Sequence, residues 1–193
     1  AENHLIQSLF VAQIERLFPK DLSEAAQQPA MLPSVSVPNN RFHDVLIRDG
    51  AIYIATESGL RREAAFEPAT EPIQNCAVYQ LAIGPDKRLA AATSIGLMLE
   101  VEEDLFEAAL INDGKGRLWA ASDVLAVAFD SNGRLWFATR AGVGCRVGAD
   151  WQLFTPAEGL PYNDFTWMTA GQDGTVWFAT RLGAIRFDGN KWD

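Results

Sequence analysis

The stretches SNGRLWFATRAGVG (Ser131–Gly144) and QDGTVWFATRLGAI (Gln172–Ile185) spell nearly the same phrase twice, 41 residues apart from Trp136 to Trp177. A search outward from this pair for a fixed period, made before any local assignment, uncovers two fainter copies. A Thr-x-x-Gly tetrad occurs four times, at Thr56–Gly59, Thr93–Gly96, Thr139–Gly142 and Thr180–Gly183. Six or seven residues before each Thr stands a turn pair: Asp49-Gly50, Asp86-Lys87, Asn132-Gly133 and Asp173-Gly174. Three residues before each Thr come Tyr53, Ala90, Trp136 and Trp177.

Each feature has a physical job. Asn-Gly and Asp-Gly tolerate the positive φ that a type I′ hairpin turn requires at both central residues. The flanking runs, such as VLAVAFD (Val124–Asp130) and RLWFAT (Arg134–Thr139), are rich in β-branched and aromatic residues and too short for helices. Each unit therefore opens with a β-hairpin. The tetrad glycine then starts a third strand, in GLRRE, GLMLEVE, GVGCRV and GAIRFDG, and a fourth is expected at Trp151–Thr155 and at GRLWAAS (Gly116–Ser122).

Four strands in roughly 40 residues is the period of a β-propeller blade. Short, evenly spaced strands also suit a sandwich, but a fixed register of turn, aromatic, Thr and Gly favours a radial array that reuses one blade design. GRLWAAS mimics a second-strand phrase, yet Trp119 lies only 17 residues from Trp136, so Leu110–Ser122 reads as the outer part of the second blade. The expected fold is all-β: a β-propeller of about four four-stranded blades, at 41–76, 77–122, 123–163 and 164–193, forming a partial ring or one completed by a partner. A helical segment and linker, residues 1–40, precede it. There Ile6, Phe10, Ile14 and Leu17 recur at helical spacing until Pro19, and Asp21 with Glu24 suggests a second short capped helix. The apolar stripe of the first helix is expected to pack on the propeller's own edge.

The bulk properties bound the function. Of 193 residues, 48% are hydrophobic and 21% charged, enough for a sizeable core and against wholesale disorder. A net charge of −9 argues against nucleic acid, whose binders need Lys and Arg to displace phosphate counterions, and against anionic lipid. No apolar run approaches the roughly 18 residues of a membrane span. Cys76 and Cys145 show no C-x-x-C spacing and read as two buried, unpaired thiols. No metal or cofactor is expected. An Ala-Glu start fits the residue after a signal-peptidase cut, so an exported, periplasmic location is the expectation.

Asp130, Gly133, Leu135-Trp136, Thr139, Gly142, Phe154-Thr155, Gly159-Leu160-Pro161 and Asn163-Asp164 form a run that resembles the two-component-regulator propeller repeat, found in ligand-binding sensor domains of bacterial proteins. The resemblance is strong over about the last 70 residues, weak over Phe42–Leu99, and does not reach residues 1–40. Members of this family usually carry more than four blades. The resemblance thus implies part of a longer propeller or a homodimeric ring, acting as a non-catalytic module that recognises a small-molecule or anionic ligand or a protein partner.

In a propeller, ligands meet the face that carries the turns from second to third strand and the links between blades. The first group supplies Glu57, Arg140 and Arg181, and the second His43, Asp123, Tyr162, Asn163 and Asp164. Arg140 and Arg181 hold equivalent positions, and two guanidiniums at one opening suit a carboxylate or sulfate. The competing expectation pairs each with an acidic residue of the next blade. Tyr162, Asn163 and Asp164 suit an aromatic platform with hydrogen bonds, or an Asx-type turn into the next blade. The acidic stretch Glu100–Glu107 reads as a solvated outer strand edge. Trp136 and Trp177, both mid-strand, read as packing between blades, and Trp177→Ala is expected to cost about 3–5 kcal/mol.

Streptogramin-lyase propellers share a similar Asp-Gly-x-x-Trp-Phe repeat, which keeps a lyase or lactonase as the alternative. Such chemistry asks for a placed histidine, and the chain has only His4 and His43. No nucleophile elbow appears, and no catalytic residue is assigned. A structural subunit attached through its N-terminal helix is the third reading.

Overall fold

A computed structural model describes residues 41–113 and 122–193. The expected helices and linker of residues 1–40, and most of GRLWAAS, lie outside the described residues. The first sheet holds β1 (Phe42–Arg48), β2 (Ala51–Thr56), β3 (Gly59–Ala64) and β4 (Glu67–Gln74). The second holds β5 (Val78–Ile83), β6 (Leu89–Thr93), β7 (Gly96–Glu102) and β8 (Leu105–Ala108). The third holds β9 (Val124–Phe129), β10 (Leu135–Thr139), β11 (Gly142–Val147) and β12 (Asp150–Phe154). The fourth holds β13 (Phe165–Ala170), β14 (Val176–Thr180) and β15 (Gly183–Phe187).

Each sheet is an antiparallel meander in sequence order, so Trp136 and Trp177 stand in different sheets, as separate blades of a β-propeller require. Three sheets are four-stranded and the last is three-stranded, its outer position taken by a Phe187–Trp192 bridge. The first strand of every sheet carries a bulge at the same place, at His43, Tyr79, Leu125 and Thr166, which keeps the four sheets in one register.

The core is a succession of seams between neighbouring sheets. Tyr53, Ala55 and Leu60 of the first sheet pack against Val78, Leu81 and Leu89 of the second. Ala90, Ala92 and Leu97 of the second meet Val127, Leu135 and Phe137 of the third. Trp136, Ala138 and Cys145 of the third meet Met168, Val176 and Phe178 of the fourth. Alanines recur at one register position, Ala55, Ala92 and Ala138, which lets adjacent sheets approach closely where they converge.

Two polar side chains, the half-buried Asp44 and the buried Gln80, stitch the innermost strands. Asp44 Oδ2 accepts the Leu81 N–H at 2.8 Å. Its register mate Gln80, 4% exposed, accepts the Val127 and Met168 N–H groups, both at 3.2 Å, and donates to the Met168 carbonyl at 2.7 Å. One amide thus satisfies backbone groups of two other sheets, and buried polar groups are tolerated only when paired in this way.

The structure amends several sequence expectations. Only Asp49-Gly50 has positive φ at both turn residues, 49° and 86°. The other hairpins turn with positive φ at a single residue, Lys87, Gly133 or Gly174, whose N–H returns to the carbonyl three residues earlier. This longer turn with one left-handed residue gives the strands the same right-handed twist. The outer strand of the second sheet is Leu105–Ala108, so the acidic stretch contributes to strands β7 and β8. Glu100 within it is buried, not a solvated edge. Cys76 and Cys145 are free and buried, and burial pushes the Cys145 thiol up to about 12.

Candidate functional site

The Thr-x-x-Gly tetrads build one turn four times. Each Thr hydroxyl donates to the glycine carbonyl, at 2.8 Å for Thr56, 2.7 Å for Thr93, 3.3 Å for Thr139 and 3.0 Å for Thr180. Each also accepts a backbone N–H two residues on, from Ser58, Ile95, Ala141 and Leu182. The glycines take φ between 136° and 152°, a conformation that an L side chain disfavours. The turn is rigid because its own side chain closes it, and the residue after each Thr is thrown onto the rim. Those residues are Glu57, Ser94, Arg140 and Arg181.

Each meets the start of its own sheet. Glu57 N–H donates to the Arg41 carbonyl at 3.0 Å and Ser94 N–H to the Ala77 carbonyl at 2.9 Å. Arg140 Nε lies 3.0 Å from Asp123 Oδ2, and Arg181 Nε lies 3.4 Å from Asp164 Oδ2. Asp123 and Asp164 immediately precede the first strands of the third and fourth sheets. Both ion pairs are therefore internal to a blade, which corrects the expectation of pairing with the next one.

Polar contacts continue from sheet to sheet. His43 Nε2 stands 2.9 Å from Glu57 Oε2, and its ring meets Tyr79 edge-on with centroids 5.6 Å apart. The Tyr79 hydroxyl donates to Asp123 Oδ1 at 3.3 Å, so Asp123 serves Tyr79 and Arg140 together. Asn163 Nδ2 donates to the Arg140 carbonyl at 2.5 Å. Burial first, then the neighbouring Asp123 and Glu57 carboxylates, raise the Tyr79 phenol above its usual range. The Asp123 bond, reinforced by the Asp164 charge, likewise raises Arg140 and keeps it cationic.

The structure thus places His43 with Glu57, Arg140 with Asn163, and Arg181 with Asp164 on one rim. Tyr162 differs: it is half-buried against the seam between the third and fourth sheets, so it is not an open platform. One member of the network, Tyr79, is absent from the residues singled out in the sequence. Tyr79 occupies the same bulge position as His43, a correspondence visible only once the strands are paired.

At the opposite ends of the strands, a groove of about 460 Å³ between the first and second sheets is lined by Arg48, Tyr53, Arg62, Lys87, Arg88 and Glu100, among others. Arg48 forms a bidentate pair with Glu100, whose oxygens also accept the Leu89 and Asp104 N–H groups. Burial pushes the Glu100 carboxyl up, but these bonds outweigh it and hold the group below its ordinary value. The Arg48–Glu100 pair is a strut across this groove.

Residues 120–141 match the family described as two component regulator propeller. No curated protein matches the chain. Among solved structures, it is similar to the extracellular domain of a one-component system from B. thetaiotaomicron, with TM-score 0.63 and 18% identity over 79% of this chain and 21% of that one. It is similar to the extracellular domain of a hybrid two-component system from the same organism, with TM-score 0.59 and 20% identity over 78% and 22%. It is also similar to virginiamycin B lyase from Staphylococcus aureus, solved with quinupristin, with TM-score 0.60 and 16% identity over 81% and 55%. The chain spans about a fifth of the two extracellular domains and about half of the lyase. The matched segment runs through strands β9 and β10 to the Arg140 turn of the third sheet, and the likeness to solved structures shows a β-propeller fold.

Proposed function

We propose that this chain is a non-catalytic recognition module, exported from the cell, whose ligand face is the rim joining His43, Glu57, Tyr79, Asp123, Arg140, Asn163, Asp164 and Arg181. One observation carries the reading: the same self-closed Thr turn delivers polar side chains to the same face in successive sheets, where they join across blade boundaries. The arginines are exposed and each engages its aspartate through Nε, so an arriving carboxylate competes for, or adds to, an ion pair already formed. This favours a ligand presenting acceptors to the guanidiniums and donors to Asp123 and Asp164 together. The sensor-type relatives support this class of function and an extracellular location.

The test is calorimetric titration with a dicarboxylate and with a zwitterionic amino acid, before and after Arg140→Glu with Arg181→Glu. Binding should fall at least tenfold while the melting temperature stays nearly constant, since exposed ion pairs add little to stability. Unfolding of the double variant would show the arginines to be struts and sink the assignment. The second reading, a lyase or lactonase, draws on the His43–Glu57 pair, because a carboxylate-oriented imidazole is what general acid–base work requires. Ring opening of a cyclic ester that disappears in His43→Ala would favour it.

A further inference from the structure

The seams between sheets are finished differently at the end opposite the rim. Strand pairing sets Leu46 opposite Tyr53, Ala82 opposite Ala90 and Ala128 opposite Trp136, so Arg48, Gly84 and Asp130, two residues on, are equivalent. Four residues after the tetrad glycines of the second, third and fourth sheets, Glu100, Arg146 and Phe187 are equivalent in turn. Between the first and second sheets, Arg48 meets Glu100 in a bidentate pair, so the protein supplies both cation and anion. Between the third and fourth sheets, Phe187 packs on Trp136 and Phe154, with centroids 5.5 and 5.3 Å away. Between the second and third sheets the corresponding residues are Gly84 and Arg146. There the cation is present, and the position that should answer it has no side chain. A Cβ on Gly84 would come within 3.1 Å of the Phe129 ring, so the position is held as glycine.

A groove of about 560 Å³ occupies this end of the seam. Leu99 from the second sheet, with Phe129 and Leu135 from the third, gives it an apolar wall, and Arg88, Arg134 and Arg146 stand along it. The carboxylates nearby are already engaged. Glu100 is held by Arg48, and Asp130 accepts the Trp136 indole N–H at 2.8 Å and Arg134 Nε at 2.7 Å. Asp86 accepts the Arg88 backbone N–H at 3.1 Å, and its ion pair with Arg88 Nε is loose, at 3.9 Å. Arg146 is exposed beside the Trp151 ring, 6.0 Å from its centroid, and holds no ion pair among the described residues. In a chain of net charge −9, this groove is a local excess of guanidinium over available carboxylate.

We infer that this groove is a further binding site, for an organic acid whose carboxylate is carried on an apolar body. The ligand's carboxylate gives Arg146 what Glu100 gives Arg48, a planar two-oxygen partner for a guanidinium. Its apolar body covers Leu99 and Phe129, both half-buried. The volume falls in the range of about 300–1,000 Å³ typical of small-molecule sites, which likewise combine an apolar lining with a few placed charges. Both walls belong to the second and third sheets, so the site is the same however many blades the ring contains.

The experiment is calorimetric titration of this chain with 4-phenylbutyrate. Two further probes serve as controls: 4-phenylbutanamide, which lacks the charge, and acetate, which lacks the apolar body. Saturable binding of 4-phenylbutyrate is expected with a Kd below about 1 mM, and both controls should bind about tenfold more weakly or worse. Arg146→Ala and, separately, Arg88→Ala should each weaken binding without moving the melting temperature, because both side chains are exposed. Arg146→Phe, which copies the Phe187 position, should abolish binding and leave the circular dichroism spectrum unchanged. The Arg140→Glu, Arg181→Glu variant should bind 4-phenylbutyrate as the wild type does, so a failure at the rim and a failure here are read separately. Absence of saturation, or equal affinity for the amide, would overturn the inference. So would binding that is lost in the rim variant and kept in Arg146→Ala. Folded Arg146→Cys that resists N-ethylmaleimide would assign the groove to another segment of the same chain and overturn it equally.

Discussion

Trp136 and Trp177 sit in almost identical phrases, and the fold treats them differently. Trp136 stacks on Phe154 with ring centroids 5.9 Å apart, meets Phe187 at 5.5 Å, and donates its indole N–H to Asp130 at 2.8 Å. Trp177 is 42% exposed, with Arg186 beside its ring at 5.8 Å. The position of Asp130 is Gly171 in the fourth sheet, so no matching carboxylate waits for the second indole. A repeat encodes a half-surface, and only a neighbour turns that half-surface into core.

The largest test of this contrast is truncation. Trp136→Ala should destabilise the chain by about 3–5 kcal/mol in urea titrations, through the cavity and the loss of the indole donor to Asp130. Trp177→Ala should change stability by no more than about 0.5 kcal/mol, because that ring is 42% exposed. Equal losses at both sites would mean that Trp177 is covered in solution.

A smaller effect is expected at Gln80, which ties the second sheet to the third and fourth. Gln80→Met keeps the volume but leaves the Val127 and Met168 backbone groups short of partners, at a cost of about 1–3 kcal/mol. Chemical denaturation should show it together with earlier amide exchange at Met168. Unchanged stability would mean that water replaces the amide.

The mildest effect is acid sensitivity. Burial pushes the Asp130 carboxyl up, but bonds from Trp136 and Arg134 and the Arg134 and Asn132 N–H groups outweigh it and hold the group below its usual value of 3.8. Near and below that pH the unfolded chain then binds more protons than the folded one, so stability is present above about pH 4 and falls as the pH drops through the folded value. Asp130→Asn should flatten the acid limb of urea midpoints measured from pH 7 to 3. Gly171→Asp, which copies the carboxylate into the fourth sheet, should not steepen it, because Trp177 is exposed. If that limb keeps its slope without Asp130, another carboxylate controls acid unfolding.

Much of this was legible beforehand. The four tetrads mark four turns because a Thr hydroxyl two to three residues from its partners can close them without distant help. The strands follow from the same local chemistry. The rim was legible in part: His43, Glu57, Asp123, Arg140, Asn163, Asp164 and Arg181 lie where the repeat predicts, but Tyr79 does not stand out. It joins the network through a bulge, which leaves no motif. Tyr162 was misjudged for the same reason, since nothing local says that its ring turns toward a seam.

Local patterns by themselves determined the repeat, its turns and the assignment of strands to blades, because these depend on hydrogen bonds and φ preferences within a few residues. Tertiary structure alone decided which tryptophan is core, which arginine pairs with which aspartate, and how Gln80 spans sheets 88 residues apart in sequence. Those outcomes depend on what stands across a seam, and burial belongs to a pair of surfaces, never to one strand.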